Sequence, residues 1–218
     1  NTGRKSPGNP VIRNTGDGWQ MNTTAIIPAY NEENNIGYVL NAVMKAKQSS
    51  DILTDVLVVS DGSTDRTVDI AWSYGARVIE LTKNMGKSYA MKTGLDNTDA
   101  SIILFLDADL IGLKPEHVIN LIIPVYEDIA DMTLGIFYSG RSLTDLAQRL
   151  TPFLTGQRTV KRLILDMLNN EDWSAGYGIE VALSYYARKC NLRIMEVPLF
   201  NVTHIIKEEK LGLTRGMA

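Results

Sequence analysis

Two aspartates separated by one residue, Asp107 and Asp109, offer the clearest chemistry in the sequence. They follow a continuous apolar run, residues 102–106, which is typical of a strand buried on both faces in a parallel sheet. Two neighbouring carboxylates repel one another unless a cation or a proton lies between them. Oxygen ligands at a strand end suit Mg²⁺ or Mn²⁺, with substrate phosphates filling the other positions. Taken alone, the pattern also fits a strand followed by an ordinary polar turn.

Three more polar clusters follow predicted strands in the first half of the chain. The strands and their clusters are 24–28 with Tyr30 to Glu32, 55–60 with Asp61, and 76–81 with 84–87. Helical patterns separate the strands, which predicts a single α/β domain with a Rossmann-like, mostly parallel sheet and helices on both faces. Ligands bind such sheets beyond the carboxyl ends of the strands. We therefore expect all four clusters to lie at one edge.

The second half of the chain predicts a less regular mixture of elements. The predicted helices are 115–123, 143–150, 159–168 and one that begins after Gly178, and the predicted strands are 131–137, 192–197 and 202–206. Residues 1–22 lack apolar periodicity and residues 213–218 follow a glycine, so we expect two tails outside the sheet.

Composition narrows the class of protein. The 218 residues carry a net charge of −3, with 44% hydrophobic and 22% charged residues, and this gives no basic footprint for nucleic acid. The single cysteine, Cys190, cannot form a disulfide within the chain, and its helical context predicts a core position. No apolar run reaches transmembrane length. We expect a cytoplasmic protein; peripheral contact with a membrane and a homodimer both stay open.

Four motifs follow the predicted strands: IIPAYNE at 26–32, SDGSTD at 60–65, NMGK at 84–87 and DAD at 107–109. In these motifs, their order and their spacing, the chain resembles the GT-A nucleotide-sugar glycosyltransferases. The resemblance is closest to the family 2 group that includes dolichyl-phosphate mannose synthase. The second half is similar to the glucosyl-3-phosphoglycerate synthases, through GYGIE at 176–180 and Thr203-His204. The implied domain is 23–212, with a nucleotide-binding half at 23–112 and an acceptor half at 113–212.

The resemblance implies a nucleotide-sugar pocket. Tyr30 would stack on the base, Glu32 would accept hydrogen bonds from the ribose, and Asp61 would accept one from the base. Lys87 would contact phosphate or base. A packed tyrosine, a simple turn after Asp61 and a solvated lysine are the structural alternatives. The expected donor contacts are Pro28, Ala29, Tyr30, Glu32, Asp61, Lys87, Asp107 and Ala108.

The resemblance also implies a site for Mn²⁺ or Mg²⁺. Asp109 would hold the ion directly, and Asp107 would reach the ion or the ribose. Mannose-synthase relatives can supply a glutamine where this chain has Ile111, so another ligand is needed. His204 matches the histidine that completes the metal site in the phosphoglycerate enzymes, and an imidazole favours Mn²⁺. The alternative for His204 is a structural residue at a strand end.

Other residues are expected to face the sugar or the acceptor. Glu180, after two glycines, matches a family glutamate that can serve as a base, although a carboxylate there also suits a helix N-terminus. Gln157, Arg158 and Lys207 would hold an acceptor phosphate or the diphosphate, or else form a solvated basic face.

These patterns predict a metal-dependent hexosyltransferase. It would move a sugar from a UDP- or GDP-sugar to a phosphorylated, lipid-phosphate or saccharide acceptor. The alternatives are a nucleotidyltransferase, which would need a glycine-rich loop after the first strand, a phospho-acceptor signalling module, which would be half as long, and an inactive sugar-nucleotide-binding protein. A P-loop is excluded, because Leu81 stands where that motif needs glycine before Gly86-Lys87-Ser88.

Overall fold

The structure is a computed structural model that describes residues 21–138, 155–174 and 178–204. The strands are β1 (Thr23–Ala29), β2 (Asp55–Ser60), β3 (Arg77–Glu80), β4 (Ile102–Phe105), β5 (Leu110–Ile111), β6 (Met132–Tyr138), β7 (Arg158–Lys161), β8 (Ile194–Phe200) and β9 (Thr203–His204). The helices are α1 (Ile36–Ser49), α2 (Thr67–Ser73), α3 (Lys87–Asp96), α4 (Pro115–Tyr126), α5 (Arg162–Leu165), α6 (Asn170–Ser174) and α7 (Gly178–Lys189).

A seven-stranded sheet with the order β3-β2-β1-β4-β7-β6-β8 forms the centre of the molecule. The strands β3, β2, β1 and β4 are mutually parallel, and β7 is antiparallel to both β4 and β6. Strand β8 is parallel to β6. Six of the seven strands therefore point the same way, and their carboxyl ends share one edge. This confirms the predicted α/β fold with a mostly parallel sheet.

Helices cover both faces of the sheet because its central strands are apolar on both sides. Every residue of β4 is at most 1% exposed. Alternate residues of β1 enter different clusters, since side chains alternate across a strand: Ala25 and Ile27 pack with α1 and α4, whereas Ile26 packs with α3 and α7. Two apolar cores thus hold the carboxyl edge in place.

A small second sheet flanks the carboxyl edge. Strand β5 is antiparallel to β9, with Leu110 opposite His204 and Ile111 opposite Thr203. The predicted strand at 202–206 is observed only at Thr203–His204, because residues 205–218 lie outside the described part. The pairing brings the end of the described chain back to the loop that follows β4.

One predicted helix is wrong. Residues 159–168 form strand β7 and then the short helix α5 instead of one helix. The spacing of Val160, Ile164 and Leu168 imitates a helix, but Thr159 and Val160 are β-branched and lie between β4 and β6 in the ladder. Tertiary pairing therefore overrides the local pattern.

Three other predictions concern the ends of elements. Cys190 is exposed after α7 instead of buried, because it lies past the helix end, where its N–H donates to the carbonyl of Tyr186 over 2.9 Å. Asn22, expected in the tail, already bonds to Ser101 and Ile102 at the start of β4. The predicted helix at 143–150 lies outside the described residues. Within the described chain, no helix has both the length and the apolarity to cross a membrane.

Candidate active site

Asp107, Asp109 and His204 meet at the carboxyl edge of the sheet. One ligand atom from each lies within 4.8 Å of the others. His204 Nδ1 is 3.0 Å from Oδ1 of Asp109, and its Nε2 is 3.7 Å from Oδ2 of Asp107. The β5–β9 pairing positions the imidazole, and the edge of the Phe137 ring packs against it at 4.9 Å between centroids. The structure therefore brings the three predicted metal ligands together.

The donor atoms of this cluster fit a divalent cation. Two carboxylates and one imidazole are acceptable to Mn²⁺ and, through their oxygens, to Mg²⁺. The three side chains are partly exposed, so a nucleotide phosphate can approach the same point. Ile111 occupies the position where the family resemblance would allow a glutamine ligand. Its side chain is apolar and 45% exposed. His204 pairs with the neighbouring Leu110 across the small sheet, and its expected role as the further ligand stays a prediction.

Lys87 supplies a positive charge between two acidic groups. Its Nζ lies 2.6 Å from Oδ1 of Asp107 and 3.7 Å from Oε1 of Glu180. Burial alone would lower the pKa of Lys87, but the charges of Asp107 and Glu180 outweigh it and raise that pKa. Burial likewise would raise the pKa of Asp107, but Lys87, His204 and Gln157 together hold it below its usual range. The pair is therefore charged at neutral pH.

Asp61 organises the loop before α3. Its two carboxylate oxygens accept the N–H groups of Met85 and Gly86 over 2.7 and 2.8 Å, and the residue is 3% exposed. Gly62 adopts φ +71, and a Cβ there would lie 2.5 Å from the carbonyl carbon of Lys83, so only glycine fits this turn. The contact of Asp61 with a base stays a prediction. A base would have to donate to a carboxylate whose two oxygens already accept backbone N–H groups of this loop.

The first-strand loop lies beside Asp61. The N–H of Asp61 donates to the carbonyl of Ala29 over 2.8 Å, which places Tyr30 next to it. Tyr30 is 48% exposed, as stacking on a base requires. Oε2 of Glu32 accepts from the side chain of Asn35 over 2.7 Å.

The three other expected donor contacts, Pro28, Ala29 and Ala108, have apolar side chains. Pro28 lies opposite Val59 in the ladder, and Ala29 and Ala108 are buried with 3% and 4% exposure. These residues offer no polar side chain, so any polar contact with a donor would come from neighbouring residues.

The residues expected to bind an acceptor are differently placed. Gln157 and Arg158 are 0% and 1% exposed, so burial argues against direct contact with an acceptor phosphate. Burial lowers the pKa of Arg158 to about 10, even though the charges of Glu180 and Asp107 act to raise it. Glu180 is 4% exposed near the start of α7. Lys207 lies outside the described residues.

Sequence reasoning missed one residue of this edge, Gly156. A Cβ at Gly156 would lie 2.5 Å from a carboxylate oxygen of Asp107 and 2.8 Å from Nζ of Lys87. Glycine here allows the backbone to pass directly beside the paired charges. The signal in the sequence is a glycine directly before Gln157-Arg158, and it becomes readable only once β7 is known to lie next to β4.

A cavity of about 480 Å³ lies at the opposite edge of the sheet. Its polar wall is internally paired: Arg77 contacts Asp55 over 2.5 Å and the carbonyl of Asn97 over 3.0 Å, and Thr24 contacts Thr98 over 2.8 Å. None of the predicted site residues lines this cavity.

Comparison with known proteins decides the family. The sequence profile of glycosyl transferase family 2 matches residues 24–182, which includes all four motifs. The chain belongs to glycosyl transferase family 2. It is therefore a glycosyltransferase by family, with the α/β fold that its sequence predicted.

Solved structures of a glucosyl-3-phosphoglycerate synthase share the fold over most of the chain. Glucosyl-3-phosphoglycerate synthase of Mycobacterium tuberculosis, in complex with Mn²⁺, UDP and glucosyl-3-phosphoglycerate, is 26% identical, with a TM-score of 0.71 over 88% of this chain and 75% of that one. The same enzyme with Mn²⁺ and UDP-glucose gives a TM-score of 0.72 at 26% identity, over 85% of this chain and 72% of that one. It has also been solved with Mg²⁺ and UDP.

A curated relative matches the first half of the chain. The 4,4'-diaponeurosporenoate glycosyltransferase of Staphylococcus aureus is 39% identical over 104 residues, which is 45% of this chain. The match spans 27% of that relative, so it concerns about a quarter of the longer protein.

Proposed function

We propose that the chain transfers a hexosyl group from a nucleoside-diphosphate sugar, with UDP as the preferred nucleotide, to an acceptor. The observation that carries the proposal is the convergence of Asp107, Asp109 and His204 at the carboxyl edge of the sheet. The glucosyl-3-phosphoglycerate synthase with the same fold binds Mn²⁺ together with UDP or UDP-glucose. The motifs alone do not separate UDP from GDP, and these neighbours favour UDP.

In this proposal Asp109 and His204 hold Mn²⁺ or Mg²⁺, and Asp107 lies within reach of the ion or the ribose. When bound, the ion would neutralise the diphosphate leaving group as the bond between sugar and phosphate breaks. The imidazole of His204 binds in its neutral form, and its contact with Asp109 orients the ring.

Lys87 and Glu180 lie next to this cluster. The ammonium of Lys87, held between Asp107 and Glu180, offers the diphosphate a fixed positive charge at the start of α3. Glu180 is buried against Lys87 and faces the same edge, where its carboxylate can orient a sugar hydroxyl or accept a proton from the acceptor. Tyr30 and Glu32 hold the base and ribose at the end of β1.

The acceptor is proposed to be a phosphorylated small molecule, a lipid phosphate or a saccharide. The solved neighbours contain phosphoglyceric acid or its glucosylated product, and the curated relative is named for diaponeurosporenoate. A cytoplasmic location, peripheral membrane contact and a homodimer stay predictions.

The test is donor binding and turnover by the full chain. UDP-glucose, UDP-galactose, GDP-mannose and GDP-glucose are each screened by thermal shift with and without Mn²⁺, because a ligand that binds only the folded state raises the melting temperature. UDP release is then measured with the stabilising donor and a panel of the three acceptor classes. We expect stabilisation by one UDP-sugar that depends on Mn²⁺. No stabilisation by any donor with Mn²⁺ or Mg²⁺ would refute the proposed function.

A further inference from the structure

Gln157 contacts Asp107 twice. Its Nε2 donates to Oδ2 of Asp107 over 2.7 Å, and its Oε1 accepts from the backbone N–H of Asp107 over 2.9 Å. One side-chain amide therefore holds both the carboxylate and the backbone of the same residue. Gln157 is fully buried, so from this position it faces Asp107 and not the solvent.

The register of two strands explains the contact. The last backbone pair between β4 and β7 is Phe105 with Arg158. Continued by two residues, this antiparallel register places Asp107 opposite Gly156. The backbone ladder stops where the site begins, and the Gln157 amide supplies the acceptor that the N–H of Asp107 would otherwise lack.

Two glycines leave room for this arrangement. A Cβ at Gly156 would lie 2.5 and 2.7 Å from the two carboxylate oxygens of Asp107. A Cβ at Gly135, on β6, would lie 2.9 Å from Cβ of Gln157 and 2.7 Å from Cδ1 of Leu199. Side chains at either position would displace Gln157 or the carboxylate. The slot that holds the amide therefore depends on both glycines.

We infer that Gln157 is a positioning residue of the donor site, which fixes the Asp107 carboxylate in the orientation that the metal and the ribose need. The inference rests on the proposed function, in which Asp107 serves that site. Gln157 holds Oδ2 and Lys87 holds Oδ1 at 2.6 Å, so neither oxygen can rotate without breaking a bond. A carboxylate that is already oriented loses less conformational freedom when a ligand binds.

The substitution Gln157→Met tests the role, because it keeps the length of the side chain and removes both hydrogen bonds. We expect the affinity of the full chain for Mn²⁺ in the presence of UDP to fall roughly 10- to 100-fold, as for other groups that support metal ligands. The titration follows free Mn²⁺ by its electron paramagnetic resonance signal. Gln48→Met makes the same change at an exposed position of α1 and should leave the affinity unchanged.

Melting temperatures of the ligand-free variants separate positioning from a purely structural role. A structural role would lower the melting temperature of Gln157→Met and leave the Mn²⁺ affinity of the folded protein at the wild-type value, which would overturn the inference. If Gln157→Met does not fold, Gly156→Ala decides instead. It keeps the amide but pushes on the carboxylate, so we expect a similar loss of affinity, and wild-type affinity would overturn the inference.

The variant Asp109→Ala distinguishes this inference from the proposed function itself. If the wild-type chain binds no Mn²⁺ with UDP, both fail. If the wild type binds and Asp109→Ala does not, while Gln157→Met binds like the wild type, the donor site stands and only the positioning role fails.

Discussion

Two clusters of charged side chains occupy opposite edges of the same sheet. At the amino edge, Asp128 and Asp131 are matched by Lys161 and Arg193, with Nζ of Lys161 and Nη2 of Arg193 within 2.7 Å of an oxygen from each aspartate. Two cations thus balance two anions. The hydrogen bonds from Arg193, together with those from Lys161, outweigh burial and hold the pKa of Asp131 far below its usual range.

Among the described residues, the carboxyl edge is not balanced in this way. The carboxylates of Asp107 and Glu180 lie within 3.7 Å of the ammonium of Lys87. Asp109 contacts His204 next to Asp107, and Arg158 is buried near Glu180 and Asp107. The amino-edge cluster ties the starts of β6 and β8 to the end of β7, and its charges satisfy one another. In the part of the chain that the structure describes, the carboxyl-edge cluster has more carboxylates than cationic side chains, and it lies at the carboxyl ends of the strands. Such an excess prepares a site for a cation and does little for stability.

The largest expected effect comes from Asp109→Ala at the carboxyl edge. Removing a direct ligand should abolish turnover, with a loss greater than the roughly 10- to 100-fold that supporting contacts produce. UDP release in the presence of Mn²⁺ measures it. The matched change at the other edge, Asp128→Ala, should leave turnover intact. Equal activity in Asp109→Ala and the wild type would show that the carboxyl-edge cluster is no more important for turnover than the amino-edge cluster.

Lys87→Met sharpens the comparison, because it makes the carboxyl edge still more negative. We expect kcat/KM to fall on the order of 10²- to 10³-fold, the range seen when one preorganised donor is removed from an active site. Mn²⁺ alone should raise the melting temperature of this variant more than that of the wild type, since the ion no longer competes with the ammonium for Asp107. Lys45→Met, at an exposed position of α1, is the control. A smaller Mn²⁺ shift in Lys87→Met would contradict this account.

The parts of the site that the sequence predicted well lie close to regular βα units. The ends of β1, β2 and β4 could be recognised because each apolar run stops at a polar loop. The parallel sheet then requires those loops to share an edge. His204 could be placed only through the family resemblance, since its partner Asp109 is 95 residues away in the chain.

The prediction of a helix at residues 159–168 failed for a physical reason. Arg158 and Gln157 look like surface groups in a sequence, but strand β7 inserts between β4 and β6 and buries both. Antiparallel insertion of a strand into a parallel sheet leaves no local signal, because it depends on ladder partners that are distant in the chain. The role of Gly156 was invisible for the same reason.

His204→Ala should have a smaller effect than Asp109→Ala. The imidazole is one of three ligands, and water can take its place, so we expect roughly a 10- to 100-fold loss of turnover and of Mn²⁺ affinity. Both are measured as for Asp109→Ala. His117→Ala is not a suitable control, because Nδ1 of His117 accepts the N–H of Lys114 at the start of α4. Glu196→Ala, at an exposed position of β8, serves instead. Wild-type Mn²⁺ affinity in His204→Ala would remove the histidine from the metal site.

The smallest effect is expected at the amino edge, from Asp131→Asn. The pKa of Asp131 is lower in the folded chain than its ordinary value of 3.8, so its contribution to stability is complete above that pH and is lost as the pH falls through the folded-state pKa. Solvent screens this cluster, because Arg193 is 50% exposed, and we expect a contribution of about 1 kcal/mol at pH 7. The melting temperature should therefore fall by roughly 2–4 °C at pH 7.

The pH dependence of that difference decides what the amino-edge cluster does. The difference between Asp131→Asn and the wild type should shrink below pH 3.8, because Asp131 of the unfolded wild-type chain then takes up a proton while the folded carboxylate is still charged. The exposed Asp51→Asn should show no such trend, and turnover of both variants at neutral pH should match the wild type. If Asp131→Asn kept its melting temperature but lost turnover, the amino-edge cluster would serve activity instead of stability. The charge balance at each edge would then no longer indicate which cluster stabilises the fold and which one binds the ligand.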